Sequence, residues 1–164
     1  MTDVTPVDNL IVVFISSNQN EFKDLRKELK DAIDEATLFD KFLMKAELVE
    51  LRGGERISGD ITRALKDAAI YVGVFGDRYS KKTIEEYRQA RRQGIPLLVF
   101  DIVPKRRDHQ VKAFLEKQVK TLDDCRITTL RPSEMLKGIL QRIANEVAEI
   151  AQQNLEIRRS IHPQ

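Results

Sequence analysis

The stretch AIYVGVFGDRYSKKTIEEYRQARRQGIPLLVF, residues 69–100, contains the pattern strand, helix, strand. Its ends, AIYVGVFG and IPLLVF, are continuous apolar runs, whereas the segment between them is polar and has the pattern of a helix. Continuous rather than alternating apolar character is typical of a strand that is covered on both faces, as in a parallel sheet. The stretch therefore predicts two buried strands joined by a helix.

The same alternation extends in both directions from this stretch. Predicted strands lie at residues 10–17 (LIVVFISS), 46–51 (AELVEL), 69–76, 95–103 and 125–130 (CRITTL). Helical spacing of apolar residues predicts helices from Phe22 to the Thr37 region, over 61–68 and over 111–119. This alternation predicts the α/β class: a flavodoxin-like, doubly wound parallel sheet of five strands in the order 2-1-3-4-5, with helices on both faces.

The segment after Pro132 predicts one more helix. Its apolar residues step by four and three, close to a heptad seam: Leu136, Leu140, Ile143, Val147 and Ile150. This helix either closes the domain by packing on the sheet or extends as a linker or an oligomer contact. The predicted organisation is thus a flexible leader at 1–9, an α/β domain at 10–131 and a C-terminal helical segment at 132–164.

Composition narrows the function classes. The formal net charge is only +2, which argues against a dedicated nucleic-acid-binding surface. The single cysteine, Cys125, excludes an intrachain disulfide, and the two histidines have no partner at metal-ligand spacing, so no metal is predicted. No apolar run approaches the roughly 20 residues of a membrane span, and the N-terminus lacks the layout of a signal peptide. We expect a soluble cytoplasmic protein that does not bind membranes.

In a doubly wound sheet, ligands bind outside the carboxyl ends of the strands. Ser16 and Ser17 end the first strand, where backbone N–H groups suit a phosphate or a ribose hydroxyl, although both serines could equally serve only to start the next helix. Arg52 follows the second strand and could clamp a pyrophosphate. Asp77 and Tyr79 follow the third strand, and Tyr79 could stack on a base or pack the loop. These five residues are candidates for substrate binding.

Glu86 has two interpretations from local pattern. Thr83 and Glu86 match a capping box, with Thr83 as the N-cap and Glu86 as the third helical residue. The same carboxylate, held ionised near a helix N-terminus, suits cleavage of an N-glycosidic bond, because an anion stabilises or captures the oxocarbenium-like sugar. It need not donate a proton when the leaving base is already cationic, as nicotinamide is.

Three segments carry a resemblance: residues 12–33 (VVFISSNQNEFKDLRKELKDAI), 69–80 (AIYVGVFGDRYS) and 83–100 (TIEEYRQARRQGIPLLVF). Together they resemble TIR-like domains of unknown function at the N-termini of large bacterial and archaeal NTPase proteins. The wider group includes TIR domains and nucleoside deoxyribosyltransferases; in the transferases, T-x-x-E followed by G-x-P carries the catalytic glutamate. The resemblance implies a TIR-like fold, with Glu86 as the catalytic acid, Thr83 beside it as a sixth substrate-binding candidate, and NAD as a substrate rather than a cofactor.

Two function classes remain open at this point. The spacing of Thr83, Glu86, Gly94 and Pro96 favours an enzyme that cleaves NAD or a nucleotide at its N-glycosidic bond. The departure of Ser80-Lys81-Lys82 from the transferase motif, and the absence of tryptophan, favour a non-enzymatic interaction module used in signalling. The expected partners are a nucleotide or NAD ligand and, for the module, a second copy or the C-terminal effector or NTPase domains of a longer protein.

Overall fold

Strands and helices alternate along the computed structural model of the chain, which describes residues 10–35, 37–38, 42–47, 57–120 and 126–161. The strands in these ranges are β1 (Leu10–Ser17), β2 (Thr37–Leu38), β3 (Phe42–Glu47), β4 (Ile70–Phe75), β5 (Leu97–Ile102) and β6 (Arg126–Leu130). The α-helices in these ranges are α1 (Lys23–Glu35), α2 (Ile57–Leu65), α3 (Lys81–Arg92), α4 (His109–Phe114) and α5 (Met135–Ile161).

The described strands form one sheet in the order β2-β3-β1-β4-β5-β6. β1 lies between β3 and β4 and is parallel to both, and β5 and β6 continue the sheet in the same direction. The short edge strand β2 is antiparallel to β3. The predicted α/β class with a parallel sheet and flanking helices is therefore confirmed.

The structure differs from the prediction in the stretch around Thr37, which is a strand and not the end of a helix. A helix was expected to continue to this region, but α1 ends at Glu35, and Thr37 and Leu38 pair with Leu43 and Phe42. The sheet therefore has six strands among the described residues, whereas five were predicted. The extra strand forms because pairing with β3 satisfies backbone N–H and C=O groups at the edge of the sheet. The second predicted strand also begins earlier, at Phe42 rather than at Ala46, while residues 48–51 lie outside the described part.

The two faces of the sheet carry different helices. On one face, α1 and α5 cover apolar side chains of β1, β4 and β5, and on the other face α2, α3 and α4 cover the alternate side chains of the same strands. The helix that follows β1 and the helix that follows β4 thus lie on opposite faces of neighbouring strands. That arrangement makes the gap between β1 and β4 the topological switch point of the sheet.

A π-helical segment at Leu115–Val119 follows α4 and holds α3. The backbone N–H of Lys120 donates to the carbonyl of Leu115 at 2.9 Å, the long spacing of a π-helix. The hydroxyl of the buried Tyr87 on α3 donates to the carbonyl of Gln118 at 3.2 Å. The helix predicted over 111–119 is therefore α-helical only in its first part, and its second part anchors α3 one residue after Glu86.

The N-terminal part of α5, up to Ala151, completes the core. Ile139, Ile143, Val147 and Ala151 are buried with the α1 face of the sheet, and Leu136, Leu140 and Ile150 pack against them half-buried. Beyond Ala151 the helix continues for ten residues to Ile161, about 15 Å at 1.5 Å per residue. None of the described helices combines the length and apolar character that crossing a membrane requires.

We expect a chain ending at Gln141 to lose cooperative folding, whereas a chain ending at Gln153 keeps the melting temperature of the full chain. The shorter chain lacks Ile143 and Val147, whose burial is worth about 1.5–3 kcal/mol each against a total stability of about 5–15 kcal/mol. Circular dichroism during heating measures the melting transition of each truncated chain and of the full chain. A cooperative transition near the full-chain temperature for the chain ending at Gln141 would contradict this assignment.

Candidate functional site

A surface pocket of about 360 Å³ lies at the switch point, between the segments that follow β1 and β4. It is lined by Asn18, Gln19, Asn20, Tyr79, Ser80 and Lys82. A smaller cavity of about 10 Å³, enough for about one water molecule, shares Asn18 and Ser80 with this pocket and reaches Thr83. Crevices at this point of doubly wound sheets are where ligands bind. The larger pocket is therefore the candidate ligand site.

Helix α3 begins one turn earlier than the sequence analysis predicted. Ser80 is its N-cap, with an extended backbone, and its Oγ accepts from the backbone N–H of Thr83 at 3.2 Å and from the Thr83 hydroxyl at 2.9 Å. Thr83 is thus the third helical residue and Glu86 the sixth. The interpretation of Thr83 and Glu86 as a capping box is wrong. Ser80 and Thr83 are both suitable caps, and here Ser80 takes the role.

Glu86 is buried and held by Ser16. Its side chain is 1% exposed, and its Oε1 accepts a hydrogen bond from Ser16 Oγ at 2.8 Å. Ser16 Oγ also lies 3.5 Å from the carbonyl of Thr83, but a hydroxyl has one hydrogen, so the shorter contact to Glu86 is the effective one. The end of β1 and the second turn of α3 are therefore joined through a serine and a carboxylate.

Ser17 lies on the other face of the sheet. Successive side chains of a strand alternate between faces, so Ser17 points away from Ser16 and Glu86 and toward α1. The buried Arg26 of α1 donates through Nη1 to Ser17 Oγ at 3.0 Å and to the carbonyl of Ser17 at 3.2 Å. Ser17 thus helps to dock α1 on β1. Sequence reasoning missed Arg26, because an arginine within a helix gives no sign of its distant partner.

The loop after β4 is fixed by Glu21. Its carboxylate accepts from the backbone N–H groups of Asp77 at 2.7 Å and Arg78 at 3.0 Å. A side chain at Gly76 would bring its Cβ to 2.5 Å from Glu21 Oε2, so glycine at this position lets the carboxylate approach the loop. Asp77 Oδ1 in turn accepts from the backbone N–H of Lys105 at 3.1 Å. The carboxylate of Asp77 therefore stabilises the loop instead of lining the pocket.

Tyr79 forms part of the pocket wall. Its backbone N–H donates to Asp108 Oδ2 at 3.0 Å, and its carbonyl accepts from Asn18 Nδ2 at 3.4 Å, so the two loops beside the pocket are linked. The side chain is half-buried against the core on the α3 face and lines the pocket. Of its two predicted roles, packing of the loop is observed, and the same position leaves the ring beside the ligand space.

The structure thus brings together Ser16, Thr83 and Glu86, and it places Tyr79 at the adjoining pocket. Ser17 and Asp77 lie near the ends of β1 and β4 in the sequence, but their side chains point away from this group of three residues. Arg52, the leader at 1–9 and Cys125 lie outside the described residues. Within the described ranges, no three side chains of His, Cys, Asp or Glu form a group that could hold a metal ion.

Comparison with known proteins gives one finding about relatedness. No curated protein matches the chain. The family model described as a domain of unknown function, DUF4062, matches residues 12–146, a range that begins in β1 and ends within α5. Since this match covers most of the 164 residues and the whole described sheet from Val12 onward, the chain belongs to the DUF4062 family of domains of unknown function.

Proposed function

We propose that this domain binds a nucleotide of the NAD type at the switch-point pocket and cleaves its N-glycosidic bond with Glu86. The observation that carries the proposal is the position of the Ser16–Glu86 pair beside a pocket at the switch point of the sheet. The proposal includes a TIR-like, flavodoxin-like domain in which β3, β1, β4, β5 and β6 correspond to strands 2-1-3-4-5. The resemblance of the three motifs supports this correspondence.

The chemistry requires one carboxylate and one water molecule. The bond between ribose C1′ and the nicotinamide nitrogen breaks, its electron pair goes to the nitrogen, and the cationic base leaves as a neutral molecule. The developing positive charge on C1′ is stabilised by the Glu86 carboxylate or captured by it as an ester. Water then adds to C1′ and one proton is released, so the products are free base and the hydroxylated sugar.

In the described conformation the Glu86 carboxylate is covered by the surrounding protein. Glu86 is 1% exposed and does not line the pocket, whereas Thr83, one turn earlier on α3, lines the small cavity next to it. Turnover therefore requires Ser16 or the first turns of α3 to move by enough to admit C1′. Ligand binding requires no such movement, so binding and turnover are separate steps of the proposal and can be tested separately.

The test is to incubate the purified protein with NAD and to measure both binding and release. We expect isothermal titration to detect NAD binding and mass spectrometry to detect free nicotinamide. Binding without release would retain the pocket assignment and remove the catalytic role of Glu86. Failure to bind NAD or any common nucleotide would overturn the proposal as a whole.

The alternative function is a protein-interaction module that signals by self-association. The observation that favours it is the length of α5, which continues for ten residues beyond Ala151, its last buried apolar residue among those described. Sedimentation of the full chain and of the chain ending at Gln153 distinguishes the two functions. A larger assembly that is lost on truncation would favour the module, and a monomer in both cases would count against it.

A further inference from the structure

Helices α3 and α4, together with the π-helical segment at Leu115–Val119, lie side by side on one face of the sheet. The buried Tyr87 of α3 packs against Phe114 of α4, with ring centroids 5.0 Å apart. Arg88 of α3 donates through Nε to Gln118 Oε1 of the π-helical segment at 3.1 Å. The exposed side chains of these segments therefore belong to one continuous surface, the α3–α4 surface.

The α3–α4 surface is basic. Its carboxylates are the exposed Glu116 and the half-exposed Glu85, since Glu86 is buried. No ion pair with another described side chain engages Arg91, Lys112 or Lys120. The exposed cations of this surface include Lys81, Arg88, Arg91, Arg92, Lys112 and Lys120.

The formal net charge of only +2 conceals this surface, because carboxylates are concentrated on the opposite face of the sheet. There, α1 exposes fewer lysines than carboxylates, and these carboxylates belong to Asp24, Glu28, Asp31, Asp34 and Glu35. Charge is thus separated between the two faces, which composition does not show. A basic face of this kind is the electrostatic footprint of a protein that binds nucleic acid.

We propose that the α3–α4 surface binds the phosphate backbone of a double-stranded nucleic acid, a function separate from the nucleotide cleavage proposed above. Lysine and arginine side chains neutralise phosphates and release the counterions condensed on a duplex. A guanidinium group can also donate paired hydrogen bonds to one phosphate. Along α3, the cations extend from Lys81 to Arg92, about 16 Å at 1.5 Å per residue. That length matches about five base-pair steps of 3.4 Å.

The side chains of this surface favour a duplex over other anionic partners. Single strands are held by aromatic side chains on which bases stack, whereas Tyr87 of α3 and Phe114 of α4 are buried. Membrane-surface helices insert large apolar side chains, and the large hydrophobic residues exposed in the described part of the chain, Leu10 and Val103, lie outside these helices. A duplex carries about one negative charge per 1.7 Å of its axis and needs only cations to bind.

The test is fluorescence anisotropy of a labelled duplex of roughly 20 base pairs, DNA in one arm and RNA in the other, titrated with the full chain. We expect binding of at least one duplex at about 50 mM salt. Its affinity should fall about 40-fold between 50 and 200 mM salt if three phosphates are neutralised. The triple variant Arg91→Gln, Lys112→Gln, Lys120→Gln should raise the Kd at least about tenfold, because each removed cation lowers the salt slope by about one.

The matched control is the triple variant Lys23→Gln, Lys27→Gln, Lys137→Gln, which loses the same charge from exposed positions on α1 and α5. Its Kd should stay within about twofold of the wild type, since charges farther away than the Debye length are screened. An equal loss of affinity in both triple variants would overturn the inference. So would a wild-type protein that binds neither duplex at about 50 mM salt.

Other outcomes separate the duplex from competing partners and from the proposed cleavage. Binding of phosphatidylserine vesicles or of polyglutamate in place of either duplex would overturn the inference. If circular dichroism shows that the triple variant does not fold, the three single variants decide, and an unchanged salt slope in each would overturn it. Glu86→Gln should bind the duplex as the wild type does. Failure of NAD binding or cleavage would therefore leave duplex binding in place.

Discussion

Replacing Glu86 with glutamine is expected to reduce nicotinamide release from NAD by about 100-fold or more, the range seen when one transition-state-stabilising group is lost. Glutamine preserves the size of the side chain and an oxygen that can accept from Ser16 Oγ, but it carries no negative charge for an oxocarbenium-like carbon. NAD affinity should change little, because Glu86 does not line the pocket. Rate measurements at saturating NAD, together with titration, test both expectations.

Glu85→Gln is the matched control for this substitution. Glu85 lies next to Glu86 on α3 but is half-exposed, and its carboxylate accepts from Gln89 Nε2 at 3.2 Å. We expect the nicotinamide release rate of Glu85→Gln to stay within about twofold of the wild type, since surface substitutions have small effects.

The stability of the Glu86→Gln protein is a separate expectation. The substitution places an amide N–H₂ in a buried position and lowers the free energy of unfolding by about 1–3 kcal/mol if those donors find no acceptor. A wild-type rate for a folded Glu86→Gln protein would exclude the carboxylate from the reaction.

Replacing Arg107 with methionine is expected to lower the free energy of unfolding by about 3 kcal/mol, near the lower end of values for breaking a buried ion pair. Arg107 Nη2 lies 2.6 Å from Asp101 Oδ1, and both side chains are only 13% exposed. The guanidinium also donates through Nε to the carbonyl of Gly76 at 2.9 Å and through Nη2 to the carbonyl of Ile102 at 2.9 Å. Methionine leaves a carboxylate and two carbonyls without these donors.

Thermal and urea unfolding measure this loss, which corresponds to a melting temperature lower by about 6–12 °C for a domain of this size. Arg106→Met is the control, because Arg106 is exposed and has the same charge; its expected change is within about 0.5 kcal/mol. Asp101→Asn combined with Arg107→Met should recover part of the loss, since no partly buried carboxylate is then left without its cation. An Arg107→Met protein as stable as the control would show that the loop after β4 does not depend on this arginine.

The positions of the apolar strands were predictable from the sequence. β1, β4 and β5 are buried on both faces, and this burial requires the continuous apolar runs that were recognised at residues 10–17, 69–76 and 95–103. The Pro-led run after α3 and the helix after Pro132 were recognised for similar local reasons. Strand β2 was not predicted, because two residues carry no periodicity and their extended conformation depends on pairing with β3.

The candidate site was predictable only in part. The motif that ends β1 and the T-x-x-E spacing on α3 identified Ser16, Thr83 and Glu86 as candidates, and the structure brings these three together. No local sequence pattern indicates that Lys82 is buried or that Glu21 accepts hydrogen bonds from the loop after β4. Each depends on groups brought close by the fold, since 56 residues separate Glu21 from the backbone N–H of Asp77.

The sequence by itself determined the alternating strands and helices, because burial on both faces and helical spacing are properties of neighbouring residues. Only the tertiary structure decided which adjacent serine meets Glu86 and whether Ser80 or Thr83 caps α3. Ser16 and Ser17 are chemically identical, and their difference arises from which face of the sheet each side chain points to when β1 pairs with β4. Glu86 is a buried partner of Ser16 instead of a helix cap because the two meet across 70 residues of chain, a contact that no local pattern encodes.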